Sequence, residues 1–274
     1  MDISVIIPTW NRAALLPRAL ESVLSQTVPP REIIVVDDGS DDDTRELVCS
    51  RYPEVKYHYQ SNLGVSSARN AGIRESSTDW IAFLDSDDQW LPRKLEIQHE
   101  EICDNPAIRV CHTDEIWIRN GKRVNSMKKH AKPDGWIFEQ CLPLCCVSPS
   151  SILIHRRVLD EVGLFDESLP ACEDYDLWLR IFCQHPVLLV DQPLLNKYGG
   201  HDDQLSRKFW GMDRFRVQAM DKLLEEGRLS SIQIQATKKM LGKKLDILIT
   251  GYLKRNNLDE VDHCNRLKSK WLLA

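Results

Sequence analysis

Asp85 and Asp87 stand two residues apart in Leu84-Asp85-Ser86-Asp87-Asp88, directly after the apolar run Trp80-Ile81-Ala82-Phe83. At a turn leaving a strand, carboxylates so spaced can approach one hard divalent cation, with phosphate oxygens and water completing an octahedron. Such a cation, bridging a diphosphate, neutralises charge that builds on a phosphate leaving group. The chain has no G-x-G-x-x-G and no G-x-x-x-x-G-K-[ST], so a glycine loop is not its phosphate handle, and a metal is the handle that remains. A single Asp after a strand more commonly caps the next helix than binds a ligand. Two further polar clusters, Thr9-Trp10-Asn11 and Asp37-Asp38, also follow apolar runs. Like charge concentrated this way is costly unless a cation or hydrogen-bond donors offset it.

The elements around the clusters say where they meet. Ile3 to Ile7 is a β-branched run, followed by Leu15, Leu16, Ala19, Leu20, Val23 and Leu24 at helical spacing. Glu32 to Val36 predicts a second strand, and Asp41 to Thr44 supplies caps for a helix through about Cys49. Val55 to Tyr59, Val65 to Ser76 and Trp80 to Leu84 continue as strand, helix and strand. Such alternation predicts an α/β fold with a mainly parallel sheet covered on both faces. Ligands of these sheets bind at the carboxyl ends of the strands, where helix N-termini converge with unpaired N–H groups. All three polar clusters fall there.

From about residue 107 the alternation weakens. Ala107 to Ile118 and Ser151 to His155 predict strands, Val158 to Val162 and Asp174 to Cys183 predict helices, and the irregular Asn125 to Pro149 reads as substrate-facing loops. Beyond Ser206 the chain is helix-rich, most clearly over Arg214 to Glu226 and Ile232 to Lys254. The expected organisation is a main domain over 1–205 and a helical extension over 206–274.

The net charge of -5 excludes a broad nucleic-acid footprint. From Lys222 onward, however, there are 11 basic and 6 acidic residues. That basic region suits peripheral contact with an anionic membrane surface, the plain alternative being a solvated helical face. Nine scattered cysteines without a C-x-x-C pair predict reduced thiols. The cluster Cys141, Cys145 and Cys146 lacks a fourth zinc ligand at recognisable spacing. Met1-Asp2 leads at once into a strand, and no apolar run approaches the roughly 20 residues of a membrane span. The expectation is a cytoplasmic protein, peripheral at most to the inner face of the membrane.

Taken in order, Pro8-Thr9-Trp10-Asn11-Arg12, Val36-Asp37-Asp38-Gly39-Ser40, Asn62-Leu63-Gly64, Ala68-Arg69-Asn70-Ala71-Gly72, Leu84-Asp85-Ser86-Asp87-Asp88, Gly163-Leu164-Phe165-Asp166-Glu167 and Glu173-Asp174-Tyr175-Asp176-Leu177-Trp178 form a pattern. With it the chain resembles the family 2 glycosyltransferases, which have the GT-A fold, from Ile3 to about Ser206. The resemblance implies an inverting, metal-dependent enzyme that moves a sugar from a nucleoside diphosphate donor, UDP being the expected carrier. The acceptor would be a hydroxyl of a glycan or a lipid-linked molecule, as in cell-surface polysaccharide synthesis.

The same resemblance implies roles. Thr9 and Trp10 would line the base pocket, Trp10 stacking on the base where the family more often has Tyr. Asp38, with Asp37, would accept hydrogen bonds from base or ribose, and Arg69 would contact base or diphosphate. Pro8, Asn11, Asn62, Gly64 and Ser86 would complete the donor site. Asp85 and Asp87 would serve ribose and an Mn²⁺ or Mg²⁺ ion, Asp87 as the direct ligand. Asp174, paired with Glu173, would be the base that deprotonates the acceptor hydroxyl, although carboxylates at a helix start also serve the dipole. His201, in a segment resembling His-x-x-Gln-x-Ser with Gln204 and Ser206, would complete the metal shell or touch the diphosphate. Two other readings compete. A sugar nucleotidyltransferase would carry a glycine-rich N-terminal loop with a basic residue, which Pro8 to Arg12 does not provide. A catalytically inactive binding module would have lost the acids, whereas Asp85, Asp87 and Asp174 are all present.

Overall fold

The computed structural model describes residues 2–125, 131–200 and 209–272. Strands β1 (Ile3–Thr9), β2 (Glu32–Asp38), β3 (Lys56–Gln60) and β4 (Trp80–Phe83) alternate with helices α1 (Leu16–Leu24), α2 (Thr44–Arg51) and α3 (Val65–Glu75). Then follow β5 (Gln89–Trp90), α4 (Lys94–Asp104), β6 (Val110–Arg119), β7 (Lys122–Val124), α5 (Phe138–Cys141), β8 (Leu153–His155), α6 (Arg156–Val162), α7 (Glu173–Phe182) and β9 (Leu188–Gly199). Three helices close the described chain: α8 (Asp213–Glu225), α9 (Ser231–Leu253) and α10 (Leu258–Leu272). The strands make one sheet in the order β3-β2-β1-β4-β8-β6-β9-β5, with β7 paired to β6. β1 to β4 are mutually parallel, so Thr9, Asp38 and the turn after Phe83 share one edge. β8 runs antiparallel to both β4 and β6, which makes the sheet mixed.

Residue alternation along β1 builds both faces of the core. Ile3, Val5 and Ile7 join Leu16, Leu20, Val23 and Leu95 on one side, while Ile6 joins Ala68, Ala71, Trp178 and Phe182 on the other. Buried on both faces, these strands read as continuous apolar runs, which is why they were legible in the sequence. α3 lies so close to β1 that a Cβ at Gly72 would run into the Ile6 side chain. Gly72→Ala is therefore expected to lower the unfolding free energy by about 1–3 kcal/mol, read from a urea midpoint, as overpacking a filled core does. An unchanged midpoint would mean that α3 can lift off β1.

Besides the short β5, β7 and α5, three features were not in the sequence reading. α4 buries only Leu95, Ile97 and Ile102 among its apolar residues, alongside buried Lys94 and Gln98, so its period is faint. β9 carries Pro193 within a strand, which argues against strand from sequence. In the structure Pro193 sits opposite Asp114, where the β6–β9 register shifts, so no regular ladder bond is lost there. Cys141 and Cys146, expected as reduced thiols, are joined as a disulfide across the turn after α5, which brings their Cα atoms to 5.6 Å. The other seven cysteines are free.

The C-terminal helices are not loosely attached. α9 opens with a reciprocal capping box of Ser230 and Gln233. Phe215, Leu223, Leu241, Leu245 and Leu267 belong to the same apolar cluster as Phe83 and Trp178. Lys222 reaches back to Asp166 at 2.7 Å and Lys244 to the Pro143 carbonyl at 2.9 Å. No described helix is long and apolar enough to cross a membrane.

Candidate active site

The ends of β1 and β2 form the first wall. Trp10 is half exposed, whereas Thr9 is buried and its hydroxyl has no protein partner. Asn11 takes a left-handed backbone (φ 51°), its N–H donating to Ser40 Oγ at 2.8 Å and its Oδ1 accepting from Asp41 N at 2.9 Å. Asn11 thus ties two strand-end loops together. The buried Asp37 carboxylate accepts from Tyr57 OH at 2.6 Å and Ser40 N at 2.9 Å. Asp38 accepts from Gln60 Nε2 at 2.7 Å, Leu63 N at 2.9 Å and Gly64 N at 2.8 Å. Both acids therefore shape the loops first. Asp38 fixes the Asn62-Leu63-Gly64 segment that starts α3, and Gly39 lets it approach, since a Cβ there would stand 2.7 Å from Asn62 N. The exposed Trp10 and the Asn62 segment are what this wall offers a ligand.

The turn after β4 forms the second wall, and each of its acids has its own cation. Asp85 Oδ1 accepts from Arg69 Nη2 at 2.8 Å, Asp87 lies 3.6 Å from Arg12, and Asp88 lies 3.7 Å from Lys197. Ser86 is buried between them. Asp88 is also held by Ser150 Oγ at 2.7 Å and Tyr198 N at 2.9 Å, and Arg18 donates to the Asp87 carbonyl. Burial opposes the Asp85 charge, but Arg69 and Lys197 outweigh it and hold this carboxyl below its usual range. Burial and the Asp85 charge push Asp87 above its usual range against Arg12 and Lys197. Burial also raises Asp88 to about 7 although Lys197 opposes it. Asp87 and Asp88 are thus the carboxyls of this turn whose charge burial disfavours on balance, and Asp85 the one whose charge is favoured.

The third wall is the start of α7. Cys172 precedes it in a left-handed conformation (φ 61°), and Glu173 and Asp174 occupy its first turn. Glu173 is buried and accepts from Arg69 Nη1 at 2.8 Å. Asp174 is partly exposed; its Oδ1 accepts from Tyr175 N at 2.7 Å and its Oδ2 from the Cys145 thiol at 3.4 Å. Burial and the Asp174 charge keep that thiol protonated by raising Cys145 well above its usual range. Arg69, only 3% exposed, therefore bridges the turn after β4 and the first turn of α7. Both ends of its guanidinium are taken by protein carboxylates, where the sequence led one to expect a donor contact.

Asp87 and the second oxygen of Asp85 offer hard oxygen donors of the kind that Mg²⁺ and Mn²⁺ take. Among the described residues no group of three or more His, Cys, Asp or Glu could hold a metal unaided. His201 lies outside the described residues, as do Gln204 and Ser206.

Several residues at the site carried no separate sequence signal. Lys197 comes from the unforeseen β9, and Arg12 and Asp88 were present only as motif flanks. Glu115 on β6 accepts from Lys132 Nζ at 2.9 Å, Trp117 Nε1 at 2.9 Å and Ser148 Oγ at 2.6 Å. Burial works against its charge, but Lys132 and Lys197 pull its carboxyl down to about 2. Lys132, Cys145 and Ser148 all belong to the irregular stretch expected to face substrate.

Comparison with known proteins matches residues 4–163 to the family described as Glycosyl transferase family 2. An uncharacterized glycosyltransferase of Rickettsia conorii is 33% identical over 213 residues, covering 75% of this chain and 35% of that protein. The uncharacterized glycosyltransferase YwdF of Bacillus subtilis is 29% identical over 239 residues, covering 85% and 86% respectively. The chain spans about a third of the length of the first relatives it matches. Among solved structures, Staphylococcus aureus TarS 1–349 in complex with UDP-GlcNAc superposes with a TM-score of 0.72 at 19% identity, over 99% of this chain and 80% of that one. The UDP complex of TarS 1–349 gives 0.66 at 20% identity, over 89% and 71%. At such identity the likeness is one of fold, the GT-A arrangement of a mixed sheet flanked by helices.

Proposed function

The chain belongs to glycosyl transferase family 2, and from that premise we propose that it moves a sugar from a nucleoside diphosphate donor, UDP-linked, to a hydroxyl of a glycan or lipid-linked acceptor, with inversion. The observation that carries this reading is the convergence on Arg69 of the donor-side acid Asp85 and the base-side acid Glu173, each at 2.8 Å. Leaving group and acceptor need opposed groups within one small space, and this bridge holds them there. The TarS complexes with UDP and UDP-GlcNAc support uridine as the carrier.

Trp10 is exposed for stacking on the base, with Thr9, Pro8, Asn11, Asn62 and Gly64 around it. Arg12 and Lys197 stand beside the acid turn where a diphosphate would lie. Asp87 and Asp85 would hold Mn²⁺ or Mg²⁺, which would supply charge neutralisation at the departing diphosphate. Asp174 Oδ2 takes the proton of the acceptor hydroxyl as that oxygen attacks the anomeric carbon from the face opposite the leaving group. Glu173, salt-bridged to Arg69 and buried, positions Asp174 rather than exchanging a proton itself.

A screen of nucleoside diphosphate sugars for thermal stabilisation and hydrolysis, with Mn²⁺ or Mg²⁺ and without, tests the reading. A UDP-sugar is expected to raise the unfolding temperature only with a metal. Asp87→Ala should weaken that binding by about 10- to 100-fold, the scale seen when support of a bound metal is lost. If no donor binds with either metal, the proposal fails.

A further inference from the structure

The helices after β9 and the segment leading into them enclose a cleft of about 310 Å³, whose lining includes Trp210, Met212, Arg216, Ile247, Gly251 and Arg255. We propose that this cleft is the acceptor subsite and that it takes an anionic carbohydrate; the inference rests on the transfer reading above.

Position is the first support. The Met212 carbonyl accepts from the Cys172 thiol at 3.8 Å, and Cys172 is two residues before Asp174. α8, which starts at the cleft, packs on α7, which carries Asp174. A chain lying in the cleft is thus one residue layer from the turn that presents the base.

Chemistry is the second. Trp210 is 43% exposed and offers an indole to the C–H face of a sugar ring. The Arg255 guanidinium lies 4.2 Å from its centroid, and that of Arg214 lies 5.5 Å away. Arg255 donates to the Gly251 carbonyl through Nη1, Arg214 donates to the Trp210 carbonyl, and the buried Nε of Arg216 has no partner. One carboxylate, Asp213, stands in the wall, but Arg216 and Lys244 each approach it at 2.8 Å and neutralise it. Arginine forks around an aromatic face fit a carboxylate or phosphate carried on a sugar, whereas a neutral glycan would leave that charge unmatched.

Gly251 supplies the third support and the test. A Cβ there would stand 3.5 Å from Arg255 and 3.8 Å from Trp210, ordinary contact distances, so a larger side chain fills the cleft without striking the backbone. Glycine also costs a helix interior about 1 kcal/mol relative to alanine, so replacing it favours α9. The full chain is titrated calorimetrically, without donor or metal, with tri-galacturonic acid, glucose 1-phosphate and maltotriose. At least one anionic probe is expected to bind in a salt-sensitive way, and which one does tells a carboxylate from a phosphate. Gly251→Leu and Arg255→Gln should each weaken that binding by about tenfold or more while the unfolding temperature is kept. Binding of neither anionic probe, binding that salt does not weaken, equal binding of maltotriose, or equal binding by Gly251→Leu would overturn the proposal. Because no donor is present, those outcomes leave sugar transfer itself untouched, and failure of the donor screen would in turn leave the cleft's binding measurable.

Discussion

Replacing Asp174 by Asn is expected to reduce transfer by about 10²- to 10⁴-fold, the range contributed by a positioned general base, while donor affinity stays as in the parent protein. The substitution keeps the shape of the side chain and its place in the first turn of α7. It removes the capacity to take a proton, and the Cys145 thiol can still donate to the amide oxygen. Only a step that needs the acceptor hydroxyl deprotonated should therefore suffer. The check is kcat for transfer beside the donor Kd from thermal shift or calorimetry. Transfer at the parent rate would remove Asp174 as the base, and a parallel loss of donor affinity would place it on the donor side instead.

Arg69→Met is expected to cost about 3–5 kcal/mol of unfolding free energy, because it strands the buried Glu173 carboxylate and takes from the partly exposed Asp85 its hydrogen-bonded cation. That is a large share of the roughly 5–15 kcal/mol by which domains are stable. Burial and the neighbouring Asp174 already raise Glu173 against the pull of Arg69, so its loss pushes Glu173 further towards the neutral acid. Arg69→Lys should recover little, since one ammonium cannot reproduce a fork that reaches Asp85 and Glu173 together at 2.8 Å each. Adding Glu173→Gln to Arg69→Met should restore part of the stability and none of the transfer. A urea midpoint for Arg69→Met within about 1 kcal/mol of the parent, the effect of an ordinary surface change, would show that the bridge is not structural.

The N-terminal half could be read almost residue by residue, and the reason is physical. β1, β2 and β4 are buried on both faces, so each is a mainly apolar run, broken only by the buried Ser4 in β1 and opened by Glu32 in β2, with polar residues at or just beyond the common edge. Asp85, Asp87 and Trp10 follow from that pattern alone. What the pattern does not contain is how charge is shared. Arg69, Asp37 and Asp38 were read as ligand contacts because motif positions do not reveal partners 16 to 104 residues away, such as Asp85 and Glu173 for Arg69. Lys197 lies on β9, which the sequence did not show as a strand, whereas Glu115 lies on β6, within the strand expected over Ala107 to Ile118; what was not visible is their meeting, because the β6–β9 pairing bends around Pro193. Asp174 was singled out by motif as a candidate, but its contact with Cys145 depends on a loop with no periodicity to read.

The order of strands in the sheet bears on how the chain comes off the ribosome. β4 lies between β1, made long before it, and β8, made only at Leu153–His155. Until then Trp80-Ile81-Ala82-Phe83 is an unpaired apolar edge, the kind of surface on which nascent chains stick to one another. Asp85, Asp87 and Asp88 are already made at that stage, whereas Glu173 and Asp174 are not, since α7 comes later still. β8 is the strand that joins the β3-β2-β1-β4 half to β6, and β9 is added after it. A growing chain can thus acquire its acid turn first, and it gains the means to use it only once its exposed edge has been sealed.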